Sequence, residues 1–275
     1  MTTREKEIGV RAGFPGNPAL TPITEDALRV APERLGQGSG CRCEVVADAD
    51  ALSRHFAASM QDEFRAAKAR GRDRVVFIVP VGPIGQFERF ADAANAARLS
   101  LADLVLVNMD EYLAPGGAFI PLGDPLSFRA HMERALWSRL DPALAPPLAH
   151  RHFPDPRDPE ATGRLIERCA GADVAYGEPL DTEAFAALPT RVVTLSRETR
   201  TINAVTATRG NIDRIPRTAV TVGMKEILEA TKIRLYLNRS WQCAIVRKFL
   251  HGPVTAAVPA SLVRRHPDVA VTMTA

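Results

Sequence analysis

Apolar runs and amphipathic segments alternate along most of this chain, and polar or glycine-rich breaks separate them. Residues 48–69 show helical spacing, and Gly71 ends that pattern. The apolar residues that share one face of this segment are Leu52, Phe56, Met60, Phe64 and Ala67. The first predicted element of the folded domain is therefore a long amphipathic helix.

Shorter apolar runs after this helix predict a series of strands separated by helices. Residues 75–79 and 104–107 are continuously apolar, which is typical of strands covered on both faces. The predicted strands are 74–79, 103–108, 172–176, 190–195, 218–222, 232–237 and 268–273. The predicted helices are 85–98, 125–139, 158–169, 223–230, 240–250 and 259–265.

This alternation indicates a single α/β domain over residues 41–275, with a three-layer, doubly wound and mostly parallel sheet of the Rossmann-like kind. Two or three strands near the C-terminus are expected as antiparallel edges. Residues 1–40 are rich in proline and glycine and lack sustained periodicity. We expect them to form an N-terminal extension, either an arm over the domain or a mobile tail.

Composition narrows the class of partner. The chain has 275 residues, 46% of them apolar, and 35 basic against 32 acidic residues give a net charge of +3. This near-balance, without a basic block, gives no reason to expect nucleic acid. No apolar stretch approaches the ~18 residues that span a bilayer, and the polar N-terminus lacks a signal core. We expect a cytoplasmic protein without a membrane partner.

Cysteine and histidine spacing does not predict a metal site. Cys41 and Cys43 form a C-x-C pair without a second pair or a nearby histidine cluster. His150 and His152 alternate, but no acid lies at ligand spacing from them. We therefore expect no bound metal.

Loops after the two apolar runs are the first candidates for chemistry. Pro80, Gly82 and Gly85 follow the first run, and glycines there let backbone N–H groups approach a ligand, while the next helix N-terminus favours an anion. The alternative is a simple tight turn. The spacing is neither G-x-G-x-x-G nor a Walker loop, so a nucleotide cofactor is not expected.

Asp110 and Glu111 end the second apolar run. A carboxylate at such a strand end can act as a general base towards a carbon acid when burial raises its pKa. A helix cap or a solvated turn is the competing interpretation. We expect Asp110 to be catalytic and Glu111 to contact the substrate.

Two later segments carry charged side chains after predicted strands. Glu178 lies before Pro179, a pair that on its own is more often only a loop. Arg200 and Arg209 follow the strand at 190–195 and could hold a phosphate by forked hydrogen bonds. A surface ion-pair network involving Glu198 is the alternative, and it suits Arg197 better than Arg200.

Five segments, in this order, resemble the glucosamine-6-phosphate isomerase/deaminase family, within a wider group that includes 6-phosphogluconolactonases. The N-M-D-E-Y segment is the most specific of them. The matching segments are 77–83 (FIVPVGP), 108–112 (NMDEY), 194–200 (TLSRETR), 219–224 (AVTVGM) and 251–254 (HGPV).

The resemblance implies an aldose–ketose isomerase or deaminase that opens an amino-sugar phosphate ring and moves a proton from C2 to C1. Asp110 matches the family's proton-transfer aspartate. Glu178 matches the glutamate that orients a ring-opening histidine. The resemblance also implies that no cofactor is needed and that the protein forms a homo-oligomer.

The chain departs from the family pattern at two places. Gly177 joins Glu178 directly, so roughly eleven residues that include the ring-opening histidine are not in this sequence. A loop omitted from the sequence and an evolved deletion both explain the gap, and the intact flanks favour omission. The phosphate loop at 80–85 is also short and lacks a hydroxyl, and a lysine usual before the late helix is missing. Arg209 and Arg239 could take its place.

These departures leave two other functions open. A non-catalytic sugar-binding or sugar-phosphate-binding sensor on the same fold would explain a lost histidine. A sugar lactonase of the wider group would need a histidine near the lactone carbonyl, and the N-M-D-E-Y segment suits the isomerases better. Where neither Arg209 nor Arg239 replaces the missing phosphate ligands, we expect an unphosphorylated or differently charged sugar as the substrate.

Overall fold

The computed structural model describes residues 25–82, 85–176, 186–239, 242–255 and 258–274. The strands are β1 (Arg42–Val46), β2 (Val75–Val79), β3 (Leu104–Asn108), β4 (Asp110–Leu113), β5 (Arg151–His152), β6 (Val174–Tyr176), β7 (Arg191–Thr194), β8 (Thr218–Thr221), β9 (Ile233–Leu237) and β10 (Val269–Thr274). The helices are α1 (Glu25–Leu28), α2 (Ala49–Ala69), α3 (Gln86–Ala96), α4 (Phe128–Met132), α5 (Ala161–Arg168), α6 (Arg197–Ala207), α7 (Met224–Leu228) and α8 (Cys243–His251).

A seven-stranded sheet with parallel neighbours forms the centre of the molecule, in the order β1-β10-β9-β6-β2-β3-β5. Every residue of β2 and β3 is buried, as the continuous apolar runs predicted. Phe77 belongs to the core cluster that α2 and α3 cover, whereas Val76 and Ile78 belong to the cluster on the other face. The predicted three-layer, mostly parallel α/β fold is confirmed.

The position of the antiparallel strands differs from the prediction. β9 and β10 lie inside the parallel sheet, and the antiparallel strands β4, β8 and β7 form a separate three-stranded sheet. The chain changes sheets at Met109, whose N–H donates to the Val79 carbonyl at 2.7 Å while its carbonyl accepts from Val222 N–H at 2.7 Å. These hydrogen bonds join residues that are distant in the sequence, so the local apolar pattern could not predict them.

Several helices are shorter or differently wound than predicted. The helix expected over 125–139 begins at Phe128, capped by the Ser127 side chain, and continues beyond α4 as a π-helical turn over Glu133–Trp137. The segment Pro259–Arg265 is a 3-10 helix. Helix α6 was not predicted, and Ala204 is its one fully buried residue.

The described part of the N-terminal segment packs against α8. The Arg247 guanidinium donates to the Val30 carbonyl at 2.9 Å, and Gly36 N–H donates to His251 Nε2 at 3.3 Å. Residues 25–40 therefore follow the surface of the domain as an arm. The domain boundary at residue 40 stays a prediction.

Candidate active site

The loop after β2 and the start of β4 lie side by side at the carboxyl edge of the parallel sheet. Val79 pairs with Asn108 in the parallel ladder, and the Met109 N–H donates to the Val79 carbonyl. Pro80 directly follows Val79, and Asp110 directly follows Met109. Ligands of open α/β sheets bind at this edge, so the fold brings together two sequence-predicted groups.

Asp110 begins the short antiparallel strand β4, where it pairs with Thr221 of β8. Its side chain is half-buried, so solvent or a ligand can reach the carboxylate. Side chains alternate along a strand, so Asp110 and Tyr112 share one face of β4, and Glu111 points to the other.

The Tyr112 phenol is buried beneath helix α6. The Asn203 amide donates to its oxygen at 2.8 Å, and the Phe128 ring lies 5.0 Å from its ring. Burial raises the pKa of Tyr112, and the charge of Asp110 raises it further. The phenol is therefore protonated throughout the neutral range. Sequence reasoning missed Asn203, because helix α6 was not recognised.

Glu111 occupies a different environment from the one expected. Its carboxylate is fully buried and accepts hydrogen bonds from the backbone N–H groups of Tyr112, Phe128 and Arg129, the Ser127 hydroxyl and the Arg129 guanidinium. Five donors leave little accepting capacity for a substrate. This geometry indicates a cap for the first turn of α4, and the expectation that Glu111 contacts the substrate stays a prediction.

Gly85 is the residue from which α3 begins. Its backbone has φ +107°, a conformation that glycine adopts more readily than other residues. The next side chain, Gln86, is fully buried and donates from its amide to the Val81 carbonyl at 3.0 Å. Gly82 is half-buried in the same loop. Glu88 in the first turn of α3 opposes the attraction of this helix end for an anion.

The three arginines expected to bind substrate have different surroundings. The half-buried Arg200 guanidinium donates to the carbonyls of Ile212 and Ile215, so it braces the turn before β8. Arg209 is exposed, just past the end of α6, with φ +54°. Arg239 is exposed at the carboxyl edge, two residues after β9. Of the three, Arg239 is the one that lies at the same sheet edge as Asp110.

Glu178 and the Gly177 junction lie outside the described residues. The catalytic role expected of Glu178 and the origin of the gap before it therefore remain predictions.

Two histidines near this edge are held neutral by burial. Burial lowers the pKa of His131 and also that of His152. Each ring has a buried Nε2 that finds no hydrogen-bond partner among the residues that the structure describes. Over the described ranges, no group of three or more His, Cys, Asp or Glu side chains is arranged to hold a metal ion, and no helix is long and apolar enough to cross a membrane.

Comparison with known proteins gives the family context. No family model matches the chain. The glucosamine-6-phosphate deaminase of Lachnoclostridium phytofermentans is 29% identical over 206 residues, which cover 69% of this chain and 81% of that protein. The enzyme of the same name from Rhodopirellula baltica is 28% identical over 244 residues, covering 82% and 90%. The chain resembles the glucosamine-6-phosphate deaminases. This is the resemblance that the sequence segments predicted.

Solved structures agree on the fold of this deaminase-like chain. A monomeric glucosamine-6-phosphate deaminase matches with a TM-score of 0.69 and 24% identity, over 85% of this chain and 97% of that one. The 6-phosphogluconolactonase of Thermotoga maritima matches with a TM-score of 0.61 and 12% identity, over 86% of this chain and all of that one. At these identities the likeness concerns the fold alone. The expectation of a homo-oligomer stays a prediction.

Proposed function

We propose that this protein is an aldose–ketose isomerase or deaminase that acts on an amino-sugar phosphate similar to glucosamine 6-phosphate. The observation that carries the proposal is the hydrogen bond from Met109 N–H to the Val79 carbonyl, which sets Asp110 beside the Pro80 loop. The named relatives supply the reaction class, since those proteins are glucosamine-6-phosphate deaminases.

The proposed chemistry uses the Asp110 carboxylate as a proton carrier. After the sugar ring opens to the aldehyde, Asp110 removes the proton from C2, and the electrons of the C–H bond form a C1–C2 double bond. The π electrons of the C1 carbonyl move to O1, which takes a proton from solvent. The carboxylic acid returns the proton from C2 to C1, and the amino group at C2 becomes an imine. The transfer to C1 restores the Asp110 carboxylate. Water then adds to C2 of the imine and ammonia leaves, which gives the ketose.

The loop from Pro80 and the start of α3 are the proposed binding elements for the sugar. A Cβ built on Gly82 would meet no atom of the described residues within 4 Å, so a ligand can approach the backbone closely at this position. Backbone N–H groups at the α3 N-terminus attract a phosphate, and Glu88 weakens that attraction. Arg239 supplies a cation at the same edge. Affinity for phosphate is therefore expected to depend on Arg239.

The test is turnover by the purified chain on a panel of amino sugars, amino-sugar phosphates and sugar lactones. Ammonia release and ketose formation support the proposal. The Asp110→Asn variant is expected to lose turnover and to retain sugar binding measured by calorimetry. Asp62→Asn is the matched control, because Asp62 is an exposed carboxylate on α2. An Asp110→Asn variant with near wild-type rates would show that another group is the base.

The same panel separates the alternatives. Binding of sugars without any turnover would favour the sensor. Hydrolysis of a lactone without ketose formation would favour the lactonase. One of the structural matches is a 6-phosphogluconolactonase by name.

A further inference from the structure

A long stretch near the C-terminus contains basic side chains but no acidic ones. No aspartate or glutamate occurs between Glu229 and Asp268. Helix α8 and the 3-10 helix over Pro259–Arg265 lie within this stretch. The basic or titratable nitrogen-bearing residues on these two elements are Arg247, Lys248, His251, Arg264 and Arg265. A negative charge that neutralises them must come from elsewhere in the chain or from a bound anion.

The N-terminal arm adds another arginine to this region. Gly36 N–H donates to His251 Nε2 at 3.3 Å at the end of α8, and Arg34 lies two residues before Gly36. Arg247 lies one helical turn before His251, on the same face of α8. Arg264 Nη1 donates to the carbonyl of the residue after His251, at 2.6 Å. We call Arg34, Arg247 and Arg264 the arginine cluster.

The histidine beside the arginine cluster offers a hydrogen-bond donor. Its Nε2 accepts from the Gly36 N–H, so the hydrogen of the neutral ring lies on Nδ1. Burial lowers the pKa of His251, and the charges of the three arginines lower it further. The ring is therefore neutral at pH 7. Among the residues that the structure describes, no acceptor lies within hydrogen-bond distance of Nδ1.

No carboxylate forms an ion pair with the arginine cluster over the described ranges. The Arg34 side chain is exposed and has no hydrogen-bond or ion-pair partner there, and its neighbour Glu33 is exposed as well. Arg247 and Arg264 donate to backbone carbonyls. Carbonyls at the end of α8 attract the Arg264 guanidinium, but they carry partial charges and neutralise no full positive charge.

Like charges gathered at one end of a helix repel one another unless an anion lies among them. A phosphate group suits this arrangement, because guanidinium groups bind its oxygens by pairs of parallel hydrogen bonds. The Nδ1–H of His251 adds a neutral donor to the three cations. A set of donors without a carboxylate selects an anion over a cation.

We propose that the arginine cluster, with the His251 imidazole, binds the phosphate group of a small molecule. Arg34 belongs to the arm and Arg247 to α8, so the bound phosphate joins the arm to the domain. This site goes beyond the proposed function and shares no residue with it.

The phosphate site lies at the opposite edge of the parallel sheet from the proposed catalytic carboxylate. A Cβ built on Gly36 would lie 2.5 Å from the sulfur of Cys43, the second residue of β1. The start of β1 belongs to the amino edge of the sheet, because β1 runs parallel to its neighbours. Asp110 follows the carboxyl end of β3. The two sites can therefore be tested separately.

The test is calorimetric titration of the full chain with inorganic phosphate and with methyl phosphate at low ionic strength. Arg34→Met should weaken binding roughly tenfold, because charge-assisted hydrogen bonds to the phosphate are lost. This variant should fold normally, since the side chain that it changes is exposed. Lys248→Met is the matched control, because it removes the same charge beside Arg247 on α8. Its Kd should change by less than about twofold.

The outcomes separate this site from general attraction and from the proposed active site. A wild type that binds neither phosphate would overturn the proposal, and so would equal weakening in Arg34→Met and Lys248→Met. Arg239→Met should leave the binding in place, and loss of all binding in that variant would also overturn the proposal. Tighter binding of methyl phosphate identifies a phosphate ester as the ligand, and tighter binding of inorganic phosphate identifies the free ion. Both of these results support the site.

Proteolysis gives an independent readout of the contact between the arm and the domain. A phosphate held by Arg34 and Arg247 keeps the arm on α8, so trypsin should cleave after Arg34 more slowly. At about ten times the Kd, mass action predicts roughly tenfold slower cleavage. Arg247→Met should lose this protection. Cleavage of the wild type at an unchanged rate would contradict the proposal. Neither measurement needs turnover, so the results do not depend on the proposed function.

Discussion

The buried Glu111 carboxylate accepts a hydrogen bond from the Arg129 backbone N–H at 2.9 Å and a second from its guanidinium at 3.3 Å. The bond to the backbone joins the start of β4 to the first turn of α4. One acid of the N-M-D-E-Y segment thus serves the architecture, which leaves its neighbour Asp110 for the proposed chemistry.

Replacing Glu111 should therefore cost stability. Glu111→Gln presents an amide NH2 to backbone donors, and one of the two accepting oxygens is lost. We expect the free energy of unfolding to fall by about 1–3 kcal/mol, the usual range for a hydrogen-bonded charge. Chemical denaturation measures it. Glu133→Gln is the control, since Glu133 is exposed in the π-helical turn that follows α4. Equal stabilities of the two variants would contradict the capping role.

Arg200 is expected to hold a turn rather than a substrate. Arg200→Met removes the hydrogen bonds to the carbonyls of Ile212 and Ile215 and should lower the free energy of unfolding by about 1–2 kcal/mol. KM should change less than about twofold once the protein is folded. Arg197→Met, at an exposed position of the same helix, controls for loss of charge. A large rise in KM without loss of stability would restore the phosphate-binding role.

The two glycines of the first loop should respond differently to alanine. Gly85→Ala forces an alanine to adopt φ +107° and should cost about 1–2 kcal/mol of unfolding free energy. Gly82→Ala should change stability by no more than about 0.5 kcal/mol, because its Cβ would meet open space. Thermal denaturation of both variants tests the contrast. Similar losses would mean that the loop backbone differs from the one described.

Acid should destabilise the protein through two half-buried histidines. His131 and His152 have a lowered pKa in the folded state, so below about pH 6.5 the unfolded chain binds more protons than the folded one. The stability that depends on their neutral form is fully present above this pH. As the pH falls, the free energy of unfolding decreases by up to about 1.4 kcal/mol per pH unit for each histidine.

Unfolding free energies measured between pH 8 and pH 5 check this expectation. The double variant His131→Gln and His152→Gln should show a shallower slope than the wild type. Some slope should remain, because the pKa values of His150 and His251 are also lowered. Identical slopes would mean that these two side chains are solvated.

The parallel core could be predicted from the sequence because its buried strands are continuous runs of apolar residues. β2 and β3 are apolar at nearly every position, since both faces are covered. The helix over 48–69 was equally clear: Asp48 caps it and its predicted apolar face is buried. These elements needed no knowledge of distant contacts.

The parts that escaped prediction depend on contacts between distant residues. β4 is a strand because it pairs with β8, more than a hundred residues later, and its residues alone read as a turn. Helix α6 exposes Ile202 and Val205, so its apolar pattern is weak. The different surroundings of Asp110 and Glu111 follow from the alternation of side chains along β4. The sequence could not show which of the two carboxylates faces the interior.

The central claim is that Asp110 carries hydrogen from C2 to C1 of an amino sugar. Its most direct test is proton NMR of glucosamine 6-phosphate deuterated at C2, incubated with wild type and with Asp110→Asn. The account predicts that the wild type removes deuterium from C2 and that part of the label appears at C1 of the ketose. Asp110→Asn should bind the sugar and leave the C2 label in place. Loss of the C2 label at the wild-type rate in Asp110→Asn would contradict the account.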